Sequence, residues 1–236
     1  MIPDWKCDGA ELFCGDAREL LPQFKDGSFD AIIADIPYGE VNRESGGLRV
    51  LDKGAADVET FDLRFVVQQS ARLAKSVYIW CGIEQISELR AGFVAAGMST
   101  RLGGWEKTNP SPMNGEHLWL SSFEACIFAR RAGAYFGVEC KSPIWRGPVA
   151  RDQEHPCEKP SWLLETLIKA SVPPGGSVLD FCCGSGTTGK AAMRLNRKFE
   201  GIECVPEWFD LSVKRVGGDT PLFKEPVKVQ TSFLDD

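Results

Sequence analysis

Apolar positions along this chain alternate between two patterns. Short unbroken runs, such as Phe29-Asp-Ala-Ile-Ile-Ala-Asp35, Ser76-Val-Tyr-Ile-Trp-Cys81 and Phe199-Glu-Gly-Ile-Glu203, have the length and composition of strands buried in a parallel sheet. Between them lie stretches with helical spacing. Ala17 to Phe24 puts Leu20, Leu21 and Phe24 on one face. Phe61 to Ala74 and Glu84 to Ala96 read as further helices, the second stopped at Gly97. Glu11 to Asp16 is a short strand, and Thr100 to Lys107 is a strand that should pair with Ser122 to Ala129. A helix opens at Lys159-Pro160-Ser161 with Trp162, Leu163, Leu167 and Ile168 on its apolar face. Ser177 to Asp180 is a strand, Lys190 to Leu195 a helix and Trp208 to Val216 the last helix. Alternating strands and helices predict an α/β fold with a mostly parallel sheet. Several strands end on an acid, among them Asp16, Asp35 and Glu203. In open α/β sheets that carboxyl edge is where ligands bind.

Length and composition narrow this without adding chemistry. At 236 residues the chain suits one domain over 1–216, followed by a tail over 217–236 without structural signal. Residues 40–59 are polar and glycine-bearing, and read as a long mobile loop, either a lid or a solvated tether. No apolar run is long enough to span a membrane, and the first residues lack the pattern of a signal peptide, so a cytoplasmic location is expected. The nine cysteines include no C-x-x-C pair, which points to buried reduced thiols and no metal site. A net charge of −6 argues mildly against a general nucleic-acid binder. Residues 130–154 are the exception, with Arg130, Arg131, Lys141, Arg146 and Arg151 interleaved with Tyr135, Phe136 and Trp145. That mixture suits contacts to phosphates and bases, and also an ordinary solvated surface.

The glycine-rich stretch Gly184-Ser185-Gly186-Thr187-Thr188-Gly189-Lys190-Ala191 fits more than one nucleotide. A triphosphate loop needs Ser or Thr after the lysine, and Ala191 stands there. A dinucleotide or other adenosine cofactor fits better, because Glu203 follows Gly184 by 19 residues at a strand end, suited to ribose hydroxyls. S-adenosylmethionine sites share this geometry.

Asp35-Ile36-Pro37-Tyr38 separates these readings. It resembles the Asp-Pro-Pro-Tyr motif of DNA amino-methyltransferases acting on adenine N6, whose cytosine-N4 relatives usually carry Ser first. Val178 to Thr188 resembles the cofactor motif of that family, and His155-Pro156-Cys-Glu-Lys159-Pro160 its His-Pro-x-x-Lys-Pro motif. Trp105 to Pro110 and Glu124 resemble further family segments, although Trp105 reads first as core. The catalytic motif precedes the cofactor loop, the circularly permuted order of the beta class. The chain departs from the family at Ile36, where proline is usual, and at Phe181-Cys182, where Pro-Phe is usual. Since Pro37 restricts Ile36 to extended geometry, its carbonyl stays aimed.

The resemblance implies a Rossmann-like methyltransferase fold: a mostly parallel seven-stranded sheet with helices on both faces. It implies S-adenosylmethionine as methyl donor and double-stranded DNA as partner, with the target adenine flipped out. Asp35 and the Ile36 carbonyl would accept the two N–H groups of the target amine, with Pro37 setting the turn and Tyr38 stacking on the base. Asp180, Cys182 and Gly184, Ser185, Gly186 and Thr187 would surround the methionine portion, with His155 and Lys159 near the same pocket. Glu203 would take the ribose hydroxyls and Asp16 the adenine amine of the cofactor, although Asp16 serves equally well as a helix cap. The strand before Asp16 should then lie beside the strand ending in Glu203. Residues 130–154 become a short target-recognition segment. The class often dimerises and often works beside a restriction enzyme. Cytosine-N4 transfer, an RNA or protein-amide acceptor, a nicotinamide oxidoreductase and an inactive DNA-binding relative are the alternatives.

Overall fold

The computed structural model describes residues 1–38, 61–112, 115–139, 141–149 and 158–218. The 40–59 loop, His155 and the tail from 219 lie outside the described residues.

One sheet organises the molecule. In chain order its strands are β1 (Trp5–Cys7), β2 (Ala10–Cys14), β3 (Phe29–Asp35), β4 (Ala74–Cys81), β5 (Ser99–Lys107), β6 (Phe123–Arg130), β7 (Ile144–Gly147), β8 (Ser177–Asp180) and β9 (Lys198–Glu203). Their spatial order is β1-β2-β9-β8-β3-β4-β6-β5-β7. The expected seven strands form its interior as a contiguous set, parallel from β2 to β4 and then antiparallel through β6 and β5. The count of seven is corrected to nine by one short strand at each edge. At one edge β1 folds back antiparallel on β2 through Gly9, whose φ of 88° suits a tight turn that L residues disfavour. At the other, β7 runs parallel to β5 within a segment whose composition reads as irregular.

The helices are α1 (Ala17–Leu20), α2 (Leu63–Leu73), α3 (Ile86–Ala95), α4 (Ser161–Ser171), α5 (Thr187–Arg194) and α6 (Pro206–Gly217). Strand alternation sends Ile32, Val77 and Ile79 to one face, where they pack with Ala17, Val66, Leu73, Leu89 and Phe93 from α1 to α3. Ala31, Ile33, Tyr78 and Trp80 go to the other face, against Leu163, Leu167, Ala191, Ala192 and Val216 from α4 to α6. Burying both faces is what makes the strand sequences nearly continuous in apolar residues. The last helices differ slightly from expectation. α5 begins at Thr187, three residues before the periodic stretch, because the glycine loop turns directly into it. Trp105 is buried, its indole N–H donating to the Gly147 carbonyl at 3.0 Å, so it is core as read. Among the described residues no helix is long and apolar enough to cross a membrane.

Register places the site. Asp35 pairs with Trp80, and Ala31 and Ile32 of β3 pair with Val178 and Leu179 of β8. The two motifs, far apart in sequence, therefore leave adjacent strands at one edge. Cys14 pairs with Glu203, which puts the strand before Asp16 beside the strand ending in Glu203, as the permuted order requires.

Candidate active site

At the end of β3 the chain cannot continue the ladder past Ile36, because Pro37 has no N–H to give. Ile36 makes the last bond, donating its amide N–H to the Trp80 carbonyl at 3.2 Å. A proline at this position could not make that bond, so the departure from the usual motif adds one rung between β3 and β4. The Ile36 side chain is fully buried in the core. Gln85 then holds the turn: its side-chain amide donates to the Pro37 carbonyl at 2.9 Å and accepts from the Gly82 N–H at 2.8 Å. Tyr38 packs so closely on Gly82 that a Cβ there would lie 3.3 Å from the Tyr38 Cβ.

Asp35, one-quarter exposed, is gripped from two sides. The Tyr38 hydroxyl donates to Oδ1 at 2.8 Å, and Lys159 Nζ donates to Oδ2 at 2.5 Å. Lys159 also reaches Glu124 Oε2 at 2.9 Å and lies 3.5 Å from the Tyr38 hydroxyl. Glu124 in turn pairs with Lys107 at 2.5 Å. The chain of charges Asp35–Lys159–Glu124–Lys107 thus joins the ends of β3, β5 and β6 to the start of α4. Burial works against the Lys159 ammonium, but Asp35, Tyr38 and Glu124 hold its pKa well above the lysine range. Burial also opposes the Glu124 carboxylate, and the two lysines overcome it, bringing its pKa down to about 2. Burial and the neighbouring Asp35 charge push the Tyr38 phenol up, so its proton is firmly held.

On the adjacent strands lies a second group. Asp180 is buried at the end of β8, accepting from the Cys182 N–H at 3.1 Å. Burial raises its pKa to about 7 despite hydrogen bonds from Thr188 and the Cys182 backbone. Gly184 and Gly186 have φ of 50° and 80°, and a Cβ at Gly186 would lie 2.9 Å from the Ser212 Cα of α6. Glycine is required at Gly186 on both counts. Glu203 closes the loop from β9: Oε2 accepts the Gly184 N–H at 2.8 Å and Oε1 the Val205 N–H at 2.9 Å. Burial raises its pKa, and these bonds pull the other way. Oε1 also takes the Cys204 thiol at 3.8 Å, so it is Oε2 that keeps a lone pair for a further donor.

Behind the loop, Ser185 and Thr187 are buried against Arg215. Phe181 points into the core against the Phe61 ring, 5.9 Å between centroids, and Cys182 is partly buried beside the loop. A glycine cradle flanked by two strand-end carboxylates, one with a free acceptor site, fits the nucleoside and amino-acid portions of S-adenosylmethionine.

The predicted site residues thus divide differently from expectation. Asp35, Ile36, Pro37 and Tyr38 form one unit, and Asp180, Cys182, Gly184, Ser185, Gly186, Thr187 and Glu203 the other. Lys159, expected on the cofactor side, is bonded to Asp35 and Glu124. Asp16 caps α1, accepting from the Arg18 backbone N–H at 2.7 Å, and is ion-paired to the Arg18 side chain at 2.6 Å. Neither Gln85 nor Arg215 stood out in the sequence, because nothing in local spacing marks a residue that meets its partner across the fold.

The comparisons with known proteins agree with this geometry. The pattern of the N6/N4 DNA methylase family matches residues 101–214. The type II methyltransferase M2.DpnII of Streptococcus pneumoniae is 31% identical, over 87% of this chain and 88% of its own. M2.MboI of Moraxella bovis is 28% identical over 94% of both. Among solved structures, the M1.HpyAVI–SAM complex superposes with a TM-score of 0.69 at 25% identity, covering 87% of this chain and 99% of that one. The cytosine-N4-specific PvuII DNA methyltransferase shares the fold, with a TM-score of 0.72 at 17% identity over 90% of this chain and 88% of its own. Identity of this extent, spanning both strand-end groups, makes the chain a member of the N6/N4 DNA methylase family, the S-adenosylmethionine-dependent DNA amino-methyltransferases.

Proposed function

We propose that this protein transfers the methyl group of S-adenosylmethionine to the N6 amine of an adenine flipped out of duplex DNA. The observation that carries the reading is Asp35 at the end of β3, held beside the Ile36 carbonyl and Tyr38 and one strand from the glycine loop. An exocyclic amine is a weak nucleophile because its lone pair is delocalised into the ring. Two acceptors on its N–H groups draw the nitrogen towards tetrahedral geometry and free that lone pair. Asp35 and the Ile36 carbonyl supply the acceptors, and Lys159 with Tyr38 fixes where the carboxylate points. The bound donor supplies an electrophilic methyl on sulfonium, so what remains for the chain is alignment and exclusion of water. Direct displacement needs no cysteine nucleophile, and burial raises the Cys182 and Cys183 thiols beside the loop well above their ordinary range.

Asp at the first motif position favours adenine over cytosine, whose enzymes usually carry Ser there. The DNA partner is supported by the β5–β6 hairpin, which leaves the site edge beside Lys107 and Glu124 and carries Leu118, Trp119 and Leu120 exposed. An apolar, aromatic loop tip on the edge that would receive a flipped base suits stacking on nucleobases. The type II names of its relatives favour a role as the modification half of a restriction–modification pair.

The test is transfer of tritiated methyl onto DNA, with the modified base identified by digestion and chromatography. N6-methyladenine is expected; N4-methylcytosine would overturn the base assignment. Asp35→Ala should abolish transfer while S-adenosylmethionine affinity, measured by calorimetry, stays within about twofold. Parallel loss of both would refute the division of labour between the two strand ends.

A further inference from the structure

One buried cation lies behind the cofactor loop and has no part in the chemistry described above. Arg215 of α6 is 4% exposed. Its Nη1 lies 2.6 Å from Glu158 Oε1 and 2.7 Å from both Ser185 Oγ and Thr187 Oγ1, so its two N–H protons are shared among three acceptors. Glu158 offsets the charge, yet an ion pair alone needs no contact with the loop. The two hydroxyls belong to the glycine cradle, and α6 presses on that cradle closely enough that Gly186 has no room for a side chain.

The direction of these hydrogen bonds matters. Each hydroxyl has one proton and two lone pairs, and a guanidinium can only donate. Arg215 therefore occupies a lone pair on both oxygens and leaves both protons to be given elsewhere. The hydroxyls lie 3.3 Å apart, so one proton can bridge them. The other is left to point at a ligand, and a hydroxyl already accepting from a cation is a stronger donor to an anion. If the loop holds the methionine portion of the cofactor, the anion within reach is that portion's carboxylate.

We propose that Arg215 is a positioning residue that sets Ser185 and Thr187 as hydroxyl donors to the carboxylate of the methyl donor's amino-acid portion. Through Glu158, the neighbour of Lys159, it also keeps this subsite in register with Asp35. The proposal rests on the reading of Gly184 to Thr187 as the methionine side of the cofactor site.

Two ligands separate positioning from mere support. S-adenosylhomocysteine carries the carboxylate; 5′-methylthioadenosine keeps the nucleoside and thioether without the amino-acid group. Calorimetry on the wild type should show the first binding more tightly. Arg215→Gln should weaken S-adenosylhomocysteine by about 10- to 100-fold, the span of a hydrogen bond to a charged group, and leave methylthioadenosine within about twofold. Arg215→Lys should restore part of the difference. Ser185→Ala with Thr187→Val should reproduce the selective loss, and it carries the test if Arg215→Gln does not fold. Adding Arg215→Gln to that pair should then cost little more. Equal weakening of both ligands would reduce Arg215 to a structural support and overturn the proposal. A wild type that binds both ligands equally would remove the carboxylate subsite alone, whereas one that binds neither would remove the cofactor reading together with it.

Discussion

Lys159 lies between two carboxylates from different strands, 2.5 Å from Asp35 and 2.9 Å from Glu124. Its own motif carries no hint of that position. Family resemblance marked the residue, but a contact across 124 positions of sequence is decided by how α4 docks against the sheet edge. Asp35 was legible for the opposite reason: an apolar run ending in acid, proline and aromatic announces a strand end from the sequence alone. Removing the Lys159 charge leaves Asp35 without its cation and Glu124 with Lys107 alone. Breaking a buried pair costs about 3–5 kcal/mol; with both carboxylates partly in solvent, about 2 kcal/mol is expected here. Lys159→Met should therefore lower stability by that order in urea melts and abolish methyl transfer. Adding Glu124→Gln should recover stability without recovering transfer. Recovery of both would mean that Lys159 acts only as a counter-ion.

Among elements, the β5–β6 hairpin and the segment after it carry the largest differences from the sequence reading. The hydrophobic pattern located both strands and their pairing, but polarity alone could not say which edge each loop occupies. Arg130, at the start of the expected recognition segment, pairs in register with Ser76 and Ser99 at the edge away from Asp35. Its guanidinium is spent on the Ala134 carbonyl, and that of Arg131 on the Ala71 carbonyl. Among its described residues the segment returns towards the site along β7, where Gly147 pairs with Lys107. The hairpin itself lies on the site edge, and its Trp119 is fully exposed. Under the proposed function, Trp119→Ala should weaken DNA binding by about tenfold, within the range for one base–aromatic stack, and leave cofactor affinity unchanged. Fluorescence anisotropy with labelled duplex checks the first and calorimetry the second. Unchanged DNA affinity would mean that the hairpin tip stays clear of the nucleic acid.

For the molecule as a whole, alternating strands and helices sufficed to predict a mostly parallel α/β sheet, while helices on both faces and the permuted order came with the family resemblance. The edge strands β1 and β7 escaped because they are short and mostly exposed, without the buried apolar run that marks the equally short β8. One cost of the arrangement lies far from the catalytic groups. Glu200 of β9 faces Glu11 of β2 in register, and burial together with that neighbour raises Glu200 to about 7. The folded state thus keeps a proton that the unfolded chain releases near pH 4, roughly the ordinary glutamate value. Stability from this site is full below that pH and is lost as pH rises towards 7. Glu200→Gln should flatten the fall in melting temperature across that window; an unchanged slope would exclude the pair as its source.

The β2–β9 pairing also bears on how the protein comes to be folded. β2 is made well before β9, the strand that hydrogen-bonds its inner edge. Contacts so distant in sequence close slowly, because chain entropy is lost before they repay it. During synthesis β3 and β4 can pair at once, while β2 waits with one edge open. Glu203 reaches the Gly184 amide and the Gly15 backbone only when β9 docks, so the part of the site around Glu203 should be the last to form. Pulsed hydrogen exchange during refolding should show the amides of β3 and β4 protected before those of β2. Simultaneous protection would instead mean that the sheet assembles as a single cooperative unit.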